Sequence, residues 1–232
     1  MTFNEAFERF SEQYLPAGAP AALMHQLRTL ASLHSLPRRH MTTLDVARDH
    51  LVFIVSGPTK LVALDAGGND QIIAFQFGGD CLTLPRKGLH TFRLVAIRAA
   101  SLLVFEAEAL RALEQRAPVL NAILARCSLA ALQRTRANLV AMGRRSATER
   151  VASFLLSMRE IEQVAQGDGR TLTLEMTRKE IADSLGLTVE TVSRQFSKLR
   201  ELGLIATPSR TQVRLSDPAR LAAQAGAFAP AA

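Results

Sequence analysis

The chain has 232 residues, a formal net charge of +7, a calculated pI of 10.4 and 48% hydrophobic residues. That length holds one large or two modest domains without disulfide staples, and two cysteines make no disulfide framework. No apolar run has the length of a membrane span and the opening MTFNEAFERF lacks a signal peptide's apolar stretch, so a cytoplasmic location with no membrane contact is expected. The basic excess would attract a polyanion, but it is spread out, +4 over residues 1–143 and +3 over the rest, and only supports such a partner.

In chain order, residues 2–14 and 20–35 are expected to be helical. Apolar or alternating runs at Leu51–Val55, Leu61–Leu64, Ile72–Phe77, Phe92–Ile97 and Ser101–Phe105 follow, separated by the turn signals SGP, DAGGND, FGGD and RKG. They predict a small β-barrel or jelly roll, with AGGN closing one hairpin and Gly78, Gly79 and Asp80 marking another tight turn. Pro118 to Met142 has no interior Gly or Pro and is long enough for about seven helical turns. Its apolar stripe, Leu120, Ile123, Leu124, Cys127, Ala130 and Ala131, suits pairing with a second copy, although Arg134 and Asn138 weaken the seam; packing against its own domain is the alternative.

A domain boundary is expected near Gly143 to Ser146. Ser146 and Glu149 form a capping box ahead of a helix with Val151, Phe154, Leu155, Met158 and Ile161 on its apolar side. Gln166 to Arg170 reads as a loop and Thr171 to Leu174 as a short strand. Next, TRKEIADSLGLTVETVSRQFSKLREL spans residues 177–202 as two short amphipathic helices. Thr177 with Glu180 caps the first, Gly186 ends it, and Thr188 caps the second. Ile181, Ala182 and Leu185 are the apolar set of the first, and Val189, Val192, Phe196 and Leu199 that of the second. Gly203 then stops the helix, and Leu204–Ile205, a turn at Pro208–Arg210 and Gln212–Leu215 make a β-hairpin wing. The sum is a winged helix-turn-helix. From Asp217 an alanine-rich tail is expected to add a short helix starting at Pro218.

The second helix leaves Glu190, Ser193, Arg194 and Ser197 on one free face. Arginine can donate twice to guanine O6 and N7 and glutamate can accept from cytosine N4, so Glu190 and Arg194, one turn apart, can address one G·C pair with Ser193 beside them. As an isolated surface pair they would be worth only about 0.3–0.5 kcal/mol; their place after two caps and a glycine turn favours base reading. Arg178, Lys179, Thr188, Thr191, Ser197, Lys198, Arg210 and Arg214 are placed to meet phosphates.

The stretch LTLEMTRKEIADSLGLTVETVSRQFSKLRELGLI resembles the C-terminal DNA-binding segment of the Crp/Fnr superfamily of bacterial transcription regulators. Its Glu-x-x-Ser-Arg core, Glu190, Ser193 and Arg194, is similar to the Fnr and FixK branch more than to the cyclic-AMP receptor. The resemblance extends more weakly upstream. It implies an α+β fold with an N-terminal barrel of the cyclic-nucleotide-binding type, a long dimerisation helix and a C-terminal winged helix-turn-helix. It also implies a homodimer on a palindrome of TTGAT-like half-sites in double-stranded DNA, with RNA polymerase as a further partner if the protein is an activator.

Two departures from the family pattern bear on the effector. Cyclic-nucleotide receptors hold the cyclic phosphate with an Arg-Ser pair, and His90 and Thr91 stand about where it belongs, so cyclic AMP is not expected. Cys81 and Cys127 are too few for a four-thiolate iron-sulfur cluster; buried, inert thiols are expected, with a redox switch as the alternative. His25, His34, His40, His50 and His90 show no metal-ligand spacing, and His50 or His90 as a haem ligand is the remaining cofactor hypothesis. A cupin-like enzyme would need a His and carboxylate cluster that the sequence lacks, so no catalysis is expected. A regulatory or protein-interaction subunit without DNA binding is the alternative function, separated from a DNA reader by salt-sensitive binding to a palindromic duplex.

Overall fold

The computed structural model describes residues 1–65, 70–114, 119–144, 146–164 and 170–226, with the side chains of 114, 119, 134, 136–144 and 162–164 outside that description. The AGGN turn, the side chains of Arg134 and Asn138, and most of the Gln166–Arg170 loop therefore lie outside the described residues. The chain divides into two compact units, Met1–Gln133 and Arg134–Ala232.

The first unit runs α1 (Phe3–Tyr14), α2 (Ala21–Leu30), β1 (Ala31–Leu36), β2 (His50–Ser56), β3 (Thr59–Leu64), β4 (Gln71–Gln76), β5 (Cys81–Leu84), β6 (Thr91–Ala96), β7 (Ala100–Glu106), α3 (Ala107–Glu114) and the start of α4 (Val119–Arg144). Two antiparallel sheets, ordered β1-β7-β2-β5 and β4-β3-β6, face each other in a jelly-roll arrangement. Between them lie Val52, Ile54, Leu82, Leu84, Leu94, Leu102 and Val104, all buried. The opposite face of the four-stranded sheet carries Leu51, Phe53, Val55, Leu103 and Phe105, which pack beneath Phe7 and Phe10 of α1 and Leu27 of α2. Phe10 lies 5.0 Å from Phe105 and 5.6 Å from Phe53 between ring centroids. β2 and β7 are thus buried on both faces, which is why their sequences are continuous apolar runs rather than alternating ones. In the turn after β2, Gly57 has φ +81°, and a Cβ there would stand 2.4 Å from the Ala99 carbonyl oxygen, so only glycine fits.

The structure corrects four expectations in this unit. The helix expected over 20–35 ends at Leu30, and Ala31–Leu36 is a strand in register with β7 from Ala31↔Phe105 to Leu36↔Ala100. No glycine or proline marks the change; strand pairing overrides the local helical preference. The short β5 and the helix α3 were not expected from the apolar pattern. Finally, Leu120, Ile123 and Cys127 are buried in the unit's own core, with Leu124 packed against it, so most of the stripe assigned to a dimer seam faces α1 and the sheet. Outward, α4 exposes Leu129 and Leu132.

The second unit contains the end of α4, then α5 (Ala147–Val164), β8 (Thr171–Thr173), α6 (Arg178–Leu185), α7 (Val189–Glu201), β9 (Ile205–Ala206), β10 (Gln212–Leu215) and α8 (Pro218–Gln224). The three strands form an antiparallel sheet ordered β8-β10-β9. Ser146 and Glu149 make the expected capping box at the start of α5, at 3.3 and 2.6 Å. α8 is more than a tail: Leu221 is fully buried and the helix packs on α5, starting at an Asp217 cap. Among the described residues no helix is long and apolar enough to cross a membrane.

Candidate nucleic-acid interface

α6 begins where the Thr177 hydroxyl accepts from Glu180 N–H at 3.2 Å and Glu180 Oε2 accepts from Thr177 N–H at 2.8 Å. It ends at Gly186, whose φ of 61° and ψ of 42° are left-handed. Two residues later the Thr188 hydroxyl accepts from Thr191 N–H at 3.1 Å and α7 starts. Val192, Phe196 and Leu199 are buried on the inner face of α7, together with Ile181 and Ala182 of α6. Burial of each large apolar side chain contributes about 1.5–3 kcal/mol, so this inner stripe fixes the rotation of α7 about its axis. That rotation leaves Glu190, Ser193 and Arg194 exposed.

The exposed trio is chemically uncommitted. Among the described residues Glu190 and Arg194 form no ion pair; the only hydrogen bond recorded for the Arg194 guanidinium is a long donation to the Thr191 hydroxyl at 3.4 Å. The N-terminal end of α7 adds the partial positive charge of its unpaired amides to this face.

The expected phosphate contacts divide into several groups. Lys179 and Arg210 are exposed, as is Arg214 on the wing strand. Thr188 and Thr191 are joined in the cap, with Thr188 Oγ1 donating to Thr191 Oγ1 at 3.0 Å. Ser197 is half-buried and accepts from Arg200 at 3.3 Å. Lys198 is exposed, and its ammonium donates to the Thr148 hydroxyl at 3.4 Å. Arg178 is placed differently from the expectation: it is half-buried, with its guanidinium 3.3 Å from the Phe196 ring centroid. Burial lowers the pKa of this guanidinium, which nevertheless stays charged. The cation–π contact makes Arg178 a brace between α6 and α7.

Sequence reasoning missed the residues that hold the two helices on α5. Thr148 donates to Gln195 Oε1 at 2.6 Å, and Arg150 donates to the Leu185 carbonyl at 3.0 Å, where α6 ends. Gln195 stands between the apolar and exposed faces of α7, and nothing in its spacing signals a partner 47 positions away.

In the first unit the residues near the expected nucleotide-phosphate position are placed as follows. His90 is exposed, Arg93 donates to the Leu44 carbonyl at 2.6 Å, and apolar side chains cluster between the sheets. His50 is buried in β2 while His90 lies in the loop before β6, and among the described residues no three His, Cys, Asp or Glu side chains are grouped to hold a metal ion.

Comparison with known proteins agrees with this geometry. Residues 149–224 match the family model of the Crp-like helix-turn-helix domain. The chain is 40% identical over 175 residues to the nitrogen fixation regulation protein FixK of Bradyrhizobium diazoefficiens, covering 75% of this chain and 73% of that protein. It is 32% identical over 185 residues to FixK of Rhizobium meliloti, covering 80% and 82%. The solved structure of FixK2 from Bradyrhizobium japonicum superposes with a TM-score of 0.73 at 27% identity, over 87% of this chain and 99% of that one. The capped pair α6 and α7 is therefore the helix-turn-helix of a Crp-like domain, and the chain belongs to the Crp/Fnr family of transcription regulators, on its Fnr/FixK-like branch.

Proposed function

We propose that the protein acts as a homodimer that reads a palindrome of TTGAT-like half-sites, with Glu190, Ser193 and Arg194 at the base edges. The observation that carries this reading is the exposed, uncommitted state of those three side chains on a helix whose opposite face is locked into the core. Lys179, Lys198 and Arg210 are the phosphate contacts, joined by Thr188, Thr191 and Ser197 where they flank the recognition helix. Where the site lies suitably near a promoter, RNA polymerase is the partner.

The division of labour follows the chain: residues 1–117 are the sensor, 118–143 the dimerisation helix and 144–216 the DNA-binding domain. With Leu120, Ile123 and Cys127 turned inward, the dimer seam belongs to the outward side of α4, where Ala122, Ala125, Leu129 and Leu132 are exposed at alternating three- and four-residue steps. Two recognition helices related by such a seam suit half-sites one DNA turn apart.

The test is fluorescence anisotropy of a labelled duplex carrying the palindrome against a scrambled duplex over a range of salt. The expected preference for the palindrome is about a thousandfold or more, with affinity falling steeply as salt rises. Equal affinity for the two duplexes refutes the reading. Lys198→Ala is expected to weaken both duplexes alike and to reduce the salt slope by about 0.9.

A further inference from the structure

The chain has two cysteines, and they meet. Cys81 opens β5 and Cys127 lies in α4; β6, β7 and α3 separate them in sequence, yet both belong to the apolar cluster beneath α1. Both are buried there with Tyr14 packed against the same cluster, and the interaction of the two thiols is the leading cause of the pKa shift of each.

The neighbourhood gives the two sulfurs different chemistry. Arg126 lies next to Cys127 in the chain, and the hydrogen bond from Cys81 with the nearby guanidinium favours a thiolate at Cys127, whose pKa is lowered. The same hydrogen bond, burial and Asp80 push the Cys81 thiol up. One sulfur is thus the better nucleophile and the other keeps its proton, the division of labour of an attacking and a resolving thiol.

Polar contacts join the last turn of α1 to residues flanking both cysteines in the chain. Tyr14 O–H and Gln13 Nε2 both donate to the Gly79 carbonyl, at 3.0 and 2.8 Å. Arg126 donates to the Gln13 carbonyl at 3.0 Å and lies 4.4 Å from the Tyr14 ring centroid. Cys81 is 9% exposed and Cys127 3%, so a small oxidant reaches them through a local opening of the surrounding structure.

We propose that Cys81 and Cys127 form a dithiol oxidation site for small hydroperoxides, whose disulfide staples α4 to β5. The Cys127 thiolate attacks one oxygen of the hydroperoxide, the O–O bond breaks, and water or an alcohol leaves as Cys127 becomes a sulfenic acid. The Cys81 thiol then attacks that sulfur, the S–O bond breaks, and the hydroxide leaves with the Cys81 proton as water. Two thiols are oxidised by two electrons and one peroxide bond is reduced. The disulfide, about 2.05 Å long, ties α4 covalently to β5 and fixes the helix against the sheet. Because that helix carries the proposed dimer seam, closure lowers DNA affinity; this consequence rests on the homodimer reading given above.

The experiment treats the full chain with hydrogen peroxide, blocks free thiols with N-ethylmaleimide, and reads intact mass, linked peptides and duplex affinity. The expected result is joint loss of both thiols, a mass lower by about 2 Da, a Cys81–Cys127 peptide pair reversed by dithiothreitol, and about tenfold weaker duplex binding. Cys81→Ala leaves Cys127 oxidised but unlinked, and the Cys81→Ala/Cys127→Ala double variant binds DNA equally with and without peroxide. Links between chains, oxidation of one thiol alone in the parent, no reaction under conditions that oxidise a free control thiol, or a disulfide without change in affinity overturns the proposal. Failure of the reduced parent to bind the palindrome refutes the proposed function instead, and the mass readout still decides whether the pair links.

Discussion

Replacing Arg194 by alanine separates base reading from every other role this side chain could have. Arg194 is exposed, and among the described residues its guanidinium makes only the 3.4 Å donation to the Thr191 hydroxyl, so its removal leaves no buried group unpaired. The expected change in folding stability is within about 0.5 kcal/mol. A bidentate contact to guanine is worth about 1–3 kcal/mol of discrimination, which corresponds to roughly 5- to 150-fold in affinity for the palindrome. Anisotropy titrations of parent and variant against the palindrome, a duplex substituted at the G·C pair, and a scrambled duplex measure the two effects separately. The variant is expected to lose affinity for the palindrome and to become indifferent to the substituted pair. An equal loss on all three duplexes with a reduced salt slope would make Arg194 a phosphate contact, and an unchanged affinity would remove it from the interface.

Thr177→Ala removes the hydroxyl half of the capping box at α6, leaving the backbone N–H of residue 177 donating to Glu180, and is expected to cost about 1 kcal/mol, read as a lower urea midpoint, while Thr177→Ser retains most of the stability. Leu129→Glu with Leu132→Glu is expected to give a monomer by sedimentation velocity with little change in melting temperature, because both side chains are exposed in the single chain. A variant that stays dimeric removes the outward side of α4 as the seam. Burial, with the neighbouring His50, holds His34 below the ordinary imidazole value. The unfolded chain therefore binds that proton more readily; the stabilisation is present above about pH 6.5 and is lost as pH falls through the depressed value. Urea midpoints at pH 7.5 and 5.5 check this: the parent is less stable at the lower pH, and His34→Gln narrows the difference.

The helix-turn-helix was legible because its determinants are local. Thr177 with Glu180, Gly186, Thr188 and Gly203 each act within a few residues of themselves, and the structure places every one in the expected conformation or cap. The paired interior strands were legible for a different reason, since β2 and β7 are too apolar to lie anywhere but inside. What escaped was set by partners distant in sequence. β1 is a strand because β7 is there to pair with it, and its own residues continue the pattern of α2 without interruption. Likewise the apolar stripe of α4 has one spacing whether it meets a second copy or the cluster under α1, and only the fold shows Leu120, Ile123 and Cys127 turned inward. Arg178 carried the same ambiguity: a cation next to a recognition helix suits a phosphate as well as it suits an aromatic ring, and here it lies over Phe196.

The two interior strands of the four-stranded sheet, β2 and β7, have no wet side. Along β2, neighbouring residues point by turns into the space between the sheets and into the layer of helices, with Val52 and Ile54 on one side and Leu51, Phe53 and Val55 on the other. A wall with solvent behind it yields by shedding a side chain outward, but this one has dense packing on both flanks and behaves as a diaphragm. Added volume in the inner chamber has to reappear as displacement among the residues of α1 and α4, so side-chain size on the two flanks is a single shared quantity.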